Sequence, residues 1–305
     1  MKRDNIIQSK SVWAIISFLR FIPKGLRKNI FSGLCLIFYY LVQKQRLITL
    51  HNISCAYPEK KMHEIETIAK KMYRNLGALV AEFTDIPFLS QEHIAKYVDI
   101  EGLENLREAL NLNKGVLLFS AHFGNWELAA AIVALISRPL TMIYRKFDSP
   151  VVENCVTWVR ASAGISSLPK DNAMRHILAS LRDNEIVLFL IDQNVSWQEG
   201  VFVNFFNNQA CTTSGFARIA LHTDAPVLPL FMISQADGRY KLIIGDIVKT
   251  SRKNGRDMDV LFNTQNYTRI IEDMVRQCPD HWLWIHQRWK TKACQVIKKP
   301  VTISS

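Results

Sequence analysis

From Leu103 to Gln277 short apolar runs alternate with longer segments of helical composition, and this alternation narrows the possible folds more than any other feature of the chain. It predicts helices near 103–111, 126–137, 150–163, 172–182, 214–223 and 257–277. Strands are expected at 115–121, 140–145, 186–191, 226–233 and 239–248, with a short extended piece at 165–168 and an irregular stretch to about 213. Strands separated by helices pair in parallel through crossovers. The expected fold class is therefore α/β, a largely parallel mixed sheet flanked by helices. Upstream, Ile65, Ile68, Met72, Leu76, Leu79, Val80 and Phe83 recur at helical spacing and predict one amphipathic helix from about Lys61 to Glu82. No internal repeat or low-complexity linker divides the chain after Leu50.

The N-terminal 50 residues differ in kind. Two apolar segments, 11–22 and 29–43, flank Pro23-Lys24-Gly25, and basic residues border both. Neither reaches the roughly 20 apolar residues that span a bilayer. Of a formal charge of +11, most lies here: Lys2, Arg3, Lys10, Arg20, Lys24, Arg27, Lys28, Lys44 and Arg46 face Asp4 alone. Aromatic and aliphatic residues beside clustered cations suit helices lying on an anionic leaflet. No small-residue cleavage site follows the first apolar run, so a retained monotopic anchor is expected over 1–50, with an α/β domain over 51–305. Two ordinary packed helices are the alternative. The six cysteines, at 35, 55, 155, 211, 278 and 294, form no C-x-x-C pair, which points to free thiols and no zinc site.

Chemistry concentrates where the run Gly115-Val-Leu-Leu-Phe-Ser120 turns through Gly124-Asn125 into the helix former beginning at Glu127. Reacting groups gather at such strand exits in open α/β sheets. His122 sits at the exit and Glu127 in the first helical turn. A carboxylate that accepts one imidazole N–H leaves the other nitrogen free to take a proton, so His122 and Glu127 are expected to form an acid–base dyad. A hydrogen-bonded structural histidine and a dipole-favoured glutamate fit the same two residues. Two further pairs, Tyr144-Arg145 and Asp192-Gln193, close presumed neighbouring strands on the same edge. Arg145 there can stabilise an oxyanion or clamp a phosphate, and Asp192 can orient it. A structural Arg145–Asp192 salt bridge fits the spacing equally well. Thr212, Thr213 and Ser214 are N-cap candidates, and Phe202, Phe205 and Phe206 are either core or the lining of an acyl groove.

The string His122-Phe-Gly-Asn-Trp-Glu127 fits the His-x4-Asp/Glu pattern of membrane acyltransferases and resembles, more narrowly, the late acyltransferases of lipid A biosynthesis. The likeness continues in order through Asn52…Tyr57-Pro58, Tyr73-Arg-Asn-Leu-Gly77, Tyr144-Arg145, Asp192-Gln193, Gly200-Val-Phe-Val-Asn-Phe-Phe206 and Trp282-Leu-Trp-Ile-His-Gln-Arg-Trp-Lys290. Lys146, Asn194 and Gln287 depart from the residues usual in that family. The resemblance implies a glycerol-phosphate acyltransferase-like fold with an N-terminal membrane-associated helical segment. It also implies catalytic His122 and Glu127, with Arg145, Asp192, Gln193 and Asn125 as oxyanion or substrate-binding candidates. His286 and Arg288 are either head-group contacts or part of aromatic packing. Implied partners are acyl carrier protein as thioester donor, a lipid A precursor as acceptor and an anionic membrane surface, at the cytoplasmic face of a Gram-negative inner membrane. No cofactor, metal or nucleic acid is called for.

The expected reaction is direct transfer without a covalent acyl-enzyme, because a thioester is already activated. His122 takes the proton of an attacking hydroxyl, and Arg145 or nearby backbone N–H groups hold the oxyanion. A glycerophospholipid or mannosylated phosphoinositide is the alternative acceptor, and a non-catalytic lipid-binding relative is the alternative class. Serine-hydrolase elbows, His-Glu-x-x-His, P-loops and Gly-x-Gly-x-x-Gly are all lacking, which removes those chemistries.

Overall fold

The computed structural model describes residues 12–253 and 255–293. The basic residues Lys2, Arg3 and Lys10 of the expected anchor, and Cys294, lie outside them. Helices are α1 (residues 12–20), α2 (Lys24–Leu41), α3 (Gln43–Ala56), α4 (Met62–Phe83), α5 (Gln91–Tyr97), α6 (Leu103–Asn111), α7 (Trp126–Ile136), α8 (Pro150–Ser162), α9 (Met174–Arg182), α10 (Gly215–Thr223) and α11 (Arg256–Gln277). Strands are β1 (Val98–Glu101), β2 (Val116–Ser120), β3 (Leu140–Tyr144), β4 (Ile165–Pro169), β5 (Ile186–Leu190), β6 (Gly200–Phe205), β7 (Asn208–Thr213), β8 (Val227–Ser234) and β9 (Tyr240–Ile244). Seven of them form one sheet in the order β1-β9-β8-β2-β5-β3-β4. Pairing is parallel except between β8 and β9.

The middle of this sheet is β2, paired in parallel with β5 on one side and β8 on the other, with Phe119 opposite Phe189 and Pro229. All five of its residues are buried, which is why it reads as a continuous apolar run rather than an alternating one. Val116 and Leu118 pack into one core with Ala129, Ile132 and Val133 of α7. Leu117 and Phe119 face the other core, where Phe119 meets Phe216 of α10 and Tyr267 of α11. Helices on both faces make three layers. The parallel arrangement brings the carboxyl ends of β2, β3 and β5 to one edge, as the spacing predicts.

Two pieces of sheet escape the sequence reading. β1 is a four-residue edge strand beside β9. The stretch read as irregular contains the β6–β7 hairpin, with Phe205 paired to Asn208 across Phe206-Asn207. Both turn residues have positive φ, 51° and 58°, as a type I′ turn requires. Phenylalanine is a poor residue for that conformation, so no turn signal stood out. Tertiary contacts hold it instead: the Phe206 ring packs on Tyr57 and Trp284, and its N–H donates to Glu272 Oε2 at 2.7 Å. Gln265 of α11 covers the exposed edge of β6, accepting from Asn204 N at 2.7 Å and donating to Asn204 O at 3.0 Å.

At the N-terminus, α2 lies against α4. Gly77 sits so close to the backbone of Phe31 and Ser32 that a Cβ there would overlap them. Ser32 donates to Arg74 O at 2.9 Å, and the buried Arg27 reaches both oxygens of Asp85 at 2.6 and 2.5 Å. The opposite side of α2 carries Leu26, Ile30, Leu34, Ile37 and Leu41, spaced along one face and each 42–78% exposed. Among the described residues no helix is long and apolar enough to cross a membrane.

Candidate active site

β2 leads into Ala121-His122, and the chain then reverses at Gly124, whose φ is +57°. A Cβ there would overlap the carbonyl oxygen of Met232, so glycine is needed both for the turn and for the close approach to β8. Asn125 caps α7, accepting from Leu128 N at 3.1 Å while donating to Glu82 Oε2 at 2.9 Å. Glu82 also accepts from the Tyr240 hydroxyl and lies 3.5 Å from Lys28 Nζ, tying α2, α4 and β9 to the start of α7. Asn125, expected as a substrate-binding residue, thus has both ends of its buried amide engaged in holding the helix start.

The carboxylate that orients His122 is that of Asp192, just beyond β5. His122 Nδ1 lies 2.8 Å from Asp192 Oδ1, and the His122 backbone N–H donates to Oδ2 at 3.0 Å. Trp282 Nε1 adds a third bond, to Oδ2 at 2.8 Å. Asp192 is fully buried. Burial would raise its pKa, but the His122 imidazole, His286 and the indole bond outweigh it and hold the group below the usual carboxylate range. An ionised acceptor at Nδ1 fixes the proton there and leaves the Nε2 lone pair of His122 as the basic position.

The expected His122–Glu127 contact is not made. Glu127 is buried in α7 and accepts from Arg160 of α8, Nε to Oε2 at 2.9 Å and Nη2 to Oε1 at 2.6 Å. It also accepts from Trp126 Nε1 at 3.1 Å, and the Trp126 ring meets the imidazole edge-on at 5.1 Å. Glu127 therefore approaches His122 only through an indole. The physical reason lies one helix away: a buried carboxylate takes the strongest donor in reach, and a bidentate guanidinium surpasses a neutral imidazole. Nothing in the sequence flags Arg160, whose Nη1 is buried with no hydrogen-bond partner among the described residues.

Arg145 is likewise not paired with Asp192. It follows β3 on the same edge but points to solvent, 3.3 Å from Asp148. Nor are the backbone N–H groups of the His122 turn free for an oxyanion: those of His122, Phe123 and Gly124 go to Asp192, Ala121 O and His281 O.

The closing segment packs directly beneath the site. Phe123 pairs with Trp282 as an isolated bridge, and Leu283 N donates to His122 O at 2.9 Å. Trp282 and Trp284 are fully buried. His286 lies beside His122 with ring centroids 4.9 Å apart, and Gln193 Nε2 sits between them, 3.3 Å from His122 Nε2 and 3.1 Å from His286 Nε2. Burial, above all, pushes His286 down to about 4, so it is neutral at pH 7. Arg288 is buried and bonded to Gln193 O, Cys211 O and Thr212 Oγ1, an internal brace rather than a head-group contact. Phe205 and Phe206 are core residues. A surface cavity of about 770 Å³ lies at the far end of the strands, between Lys114, Arg175 and His222, and takes no part in this site.

The family model for bacterial lipid A biosynthesis acyltransferases matches residues 6–291. The chain belongs to that family. This acyltransferase is 27% identical to the lipid A biosynthesis palmitoleoyltransferase of Escherichia coli K12 over 253 residues, which cover 82% of this chain and 80% of that one. It is 23% identical to the lauroyltransferase of the same organism over 284 residues, with 92% and 89% covered. With the myristoyltransferase it shares 24% identity over 253 residues, 83% and 77% of the two chains.

Proposed function

We propose that this acyltransferase moves a fatty acyl chain from an acyl-carrier-protein thioester to a hydroxyl of a lipid A precursor at the cytoplasmic face of the inner membrane, with His122 as general base. The single observation that carries the mechanism is the 2.8 Å contact between His122 Nδ1 and the buried Asp192, which commits one ring nitrogen and leaves the other to accept a proton. The acceptor hydroxyl gives its proton to His122 Nε2 as its oxygen attacks the thioester carbonyl. The tetrahedral intermediate then expels the thiolate, which takes that proton back from the imidazolium. General-base action of this kind is worth roughly 10²–10⁴-fold.

Arg160, whose buried Nη1 carries two N–H groups with no hydrogen-bond partner among the described residues, is the donor we assign to the oxyanion, and such a donor contributes on the order of 10²–10³-fold. Glu127 fixes that guanidinium and supports Trp126 against the imidazole. Arg145, exposed on the same edge, is suited to an anionic group of the acceptor.

Membrane attachment is supported by the apolar row of α2 and by the clustered cations of the N-terminal segment. The lipid A acceptor is supported by the names of the relatives. Mass spectrometry of lipid A from cells lacking this protein tests the function: restoring the wild-type chain should add the mass of one acyl group, and restoring His122→Ala should not. Identical lipid A in all three strains would reject the proposal.

A further inference from the structure

The mechanism leaves two polar side chains beside the base without a task, Gln193 and His286. One carboxamide nitrogen carries two hydrogens, and Gln193 Nε2 lies within reach of two ring nitrogens, His122 Nε2 at 3.3 Å and His286 Nε2 at 3.1 Å, to both of which it can donate when each imidazole carries its proton on Nδ1. The site is built to hold this bridge. Asn52 of α3 donates to the carbonyls of His286 and Trp284 at 2.6 and 2.8 Å, and Arg288 donates to the carbonyl of Gln193 at 3.3 Å. Both backbones are clamped, and what can move is the Gln193 side chain. Its amide occupies the lone pair that the proposed reaction needs.

We propose that Gln193 and His286 form a latch on the base: the Gln193 amide caps His122 Nε2 in the empty enzyme, and an acceptor hydroxyl displaces it while His286 retains the other hydrogen bond. The latch rests on the assignment of His122 as base. It favours transfer over hydrolysis. A water molecule that displaces the amide gains one hydrogen bond for the one it breaks, whereas a lipid acceptor brings the binding energy of its remaining parts to the same displacement. The groups facing His122 are Asp192 from the end of β5, His286 and Gln193, and Trp126 of α7 backed by Glu127 and Arg160; Arg288 faces the Gln193 carbonyl. Among the described residues, Gln193 alone has a hydrogen-bonding atom within reach of Nε2.

The test uses the full-length protein in vesicles of anionic phospholipid, with an acyl-carrier-protein thioester of a lauroyl, myristoyl or palmitoleoyl chain and a lipid A precursor. Gln193→Ala should raise the ratio of thioester hydrolysis to transfer about fivefold, the factor that corresponds to one neutral hydrogen bond. Gln193→Glu, which cannot donate when ionised, should raise the same ratio likewise. Ethoxyformylation of His122 by diethyl pyrocarbonate, followed by peptide mass spectrometry, should accelerate in Gln193→Ala in the absence of substrates. Faster modification with an unchanged hydrolysis-to-transfer ratio would overturn the latch alone. Undiminished transfer by His122→Ala would remove the base assignment and the latch with it. His286→Phe should raise the KM for the acceptor, and His286→Asn, which keeps an acceptor for the amide, should restore it; equal KM values in all three would contradict the latch.

Discussion

His122 Nδ1 stands 2.8 Å from Asp192 Oδ1, with no other atom between the imidazole and a carboxylate that is completely enclosed by protein. Seventy positions separate the two residues, and adjacent parallel strands deliver them to the same edge. Asp192→Asn removes the ionised acceptor and sets an amide against three N–H groups. Transfer should fall about 10²- to 10⁴-fold, through loss of the correct tautomer as well as of local order. Steady-state kinetics with thermal unfolding on the same samples separates the two losses.

Glu127 and Arg160 form a buried ion pair, with side chains 8% and 4% exposed. Removing one member leaves a buried charge uncompensated, so Glu127→Gln should destabilise by about 3–5 kcal/mol. Glu127→Gln combined with Arg160→Met should recover much of that stability without recovering transfer. Urea unfolding of the single and double variants measures the coupling. Loss of activity in Glu127→Gln at wild-type stability would assign the carboxylate a direct chemical role.

His286 is neutral in the folded protein down to about pH 4, whereas an unfolded histidine takes a proton near pH 6.5. Below pH 6.5 the unfolded chain therefore binds a proton that the folded chain refuses, and stability falls as pH drops from 6.5 toward 4. The full loss is roughly 3 kcal/mol. His286→Phe should flatten this part of the curve, which unfolding midpoints measured at half-unit pH steps would reveal.

Leu34 and Ile37 lie in the outward row of α2 and are each 54% exposed. Leu34→Asp with Ile37→Asp should leave the unfolding midpoint within a degree or two, because exposed substitutions change stability by about 0.5 kcal/mol or less. Binding to anionic vesicles should drop by at least tenfold, since two buried aliphatic side chains and two charges are at stake. Co-sedimentation reads the difference.

The α/β alternation was legible because the central strands of the parallel sheet are covered by helices on both faces, so Val116–Ser120 and Ile186–Leu190 could only be continuous apolar runs. His122 was legible for a similar reason, since it directly follows the buried central strand, at the sheet edge where reacting groups gather. Its partner was not. Spacing along the chain favours Glu127, one turn away, but contacts across parallel strands are blind to that spacing, and only the register of β2 against β5 brings Asp192 in. Arg160 was invisible because a basic residue in the last turn of a helix is ordinary, and its burial depends on how α8 meets α7. The hairpin at Phe206 shows the same limit, since its turn is held by Tyr57, Trp284 and Glu272 rather than by its own residues.

The most direct test is the single-turnover rate of acyl transfer by His122→Ala beside the wild type, with protein, thioester and acceptor on vesicles. The rate should fall by about 10²- to 10⁴-fold while vesicle binding stays unchanged, with a cooperative unfolding transition showing that the variant is folded. A variant that lacks this imidazole and still transfers within a few-fold of the wild-type rate would contradict the account.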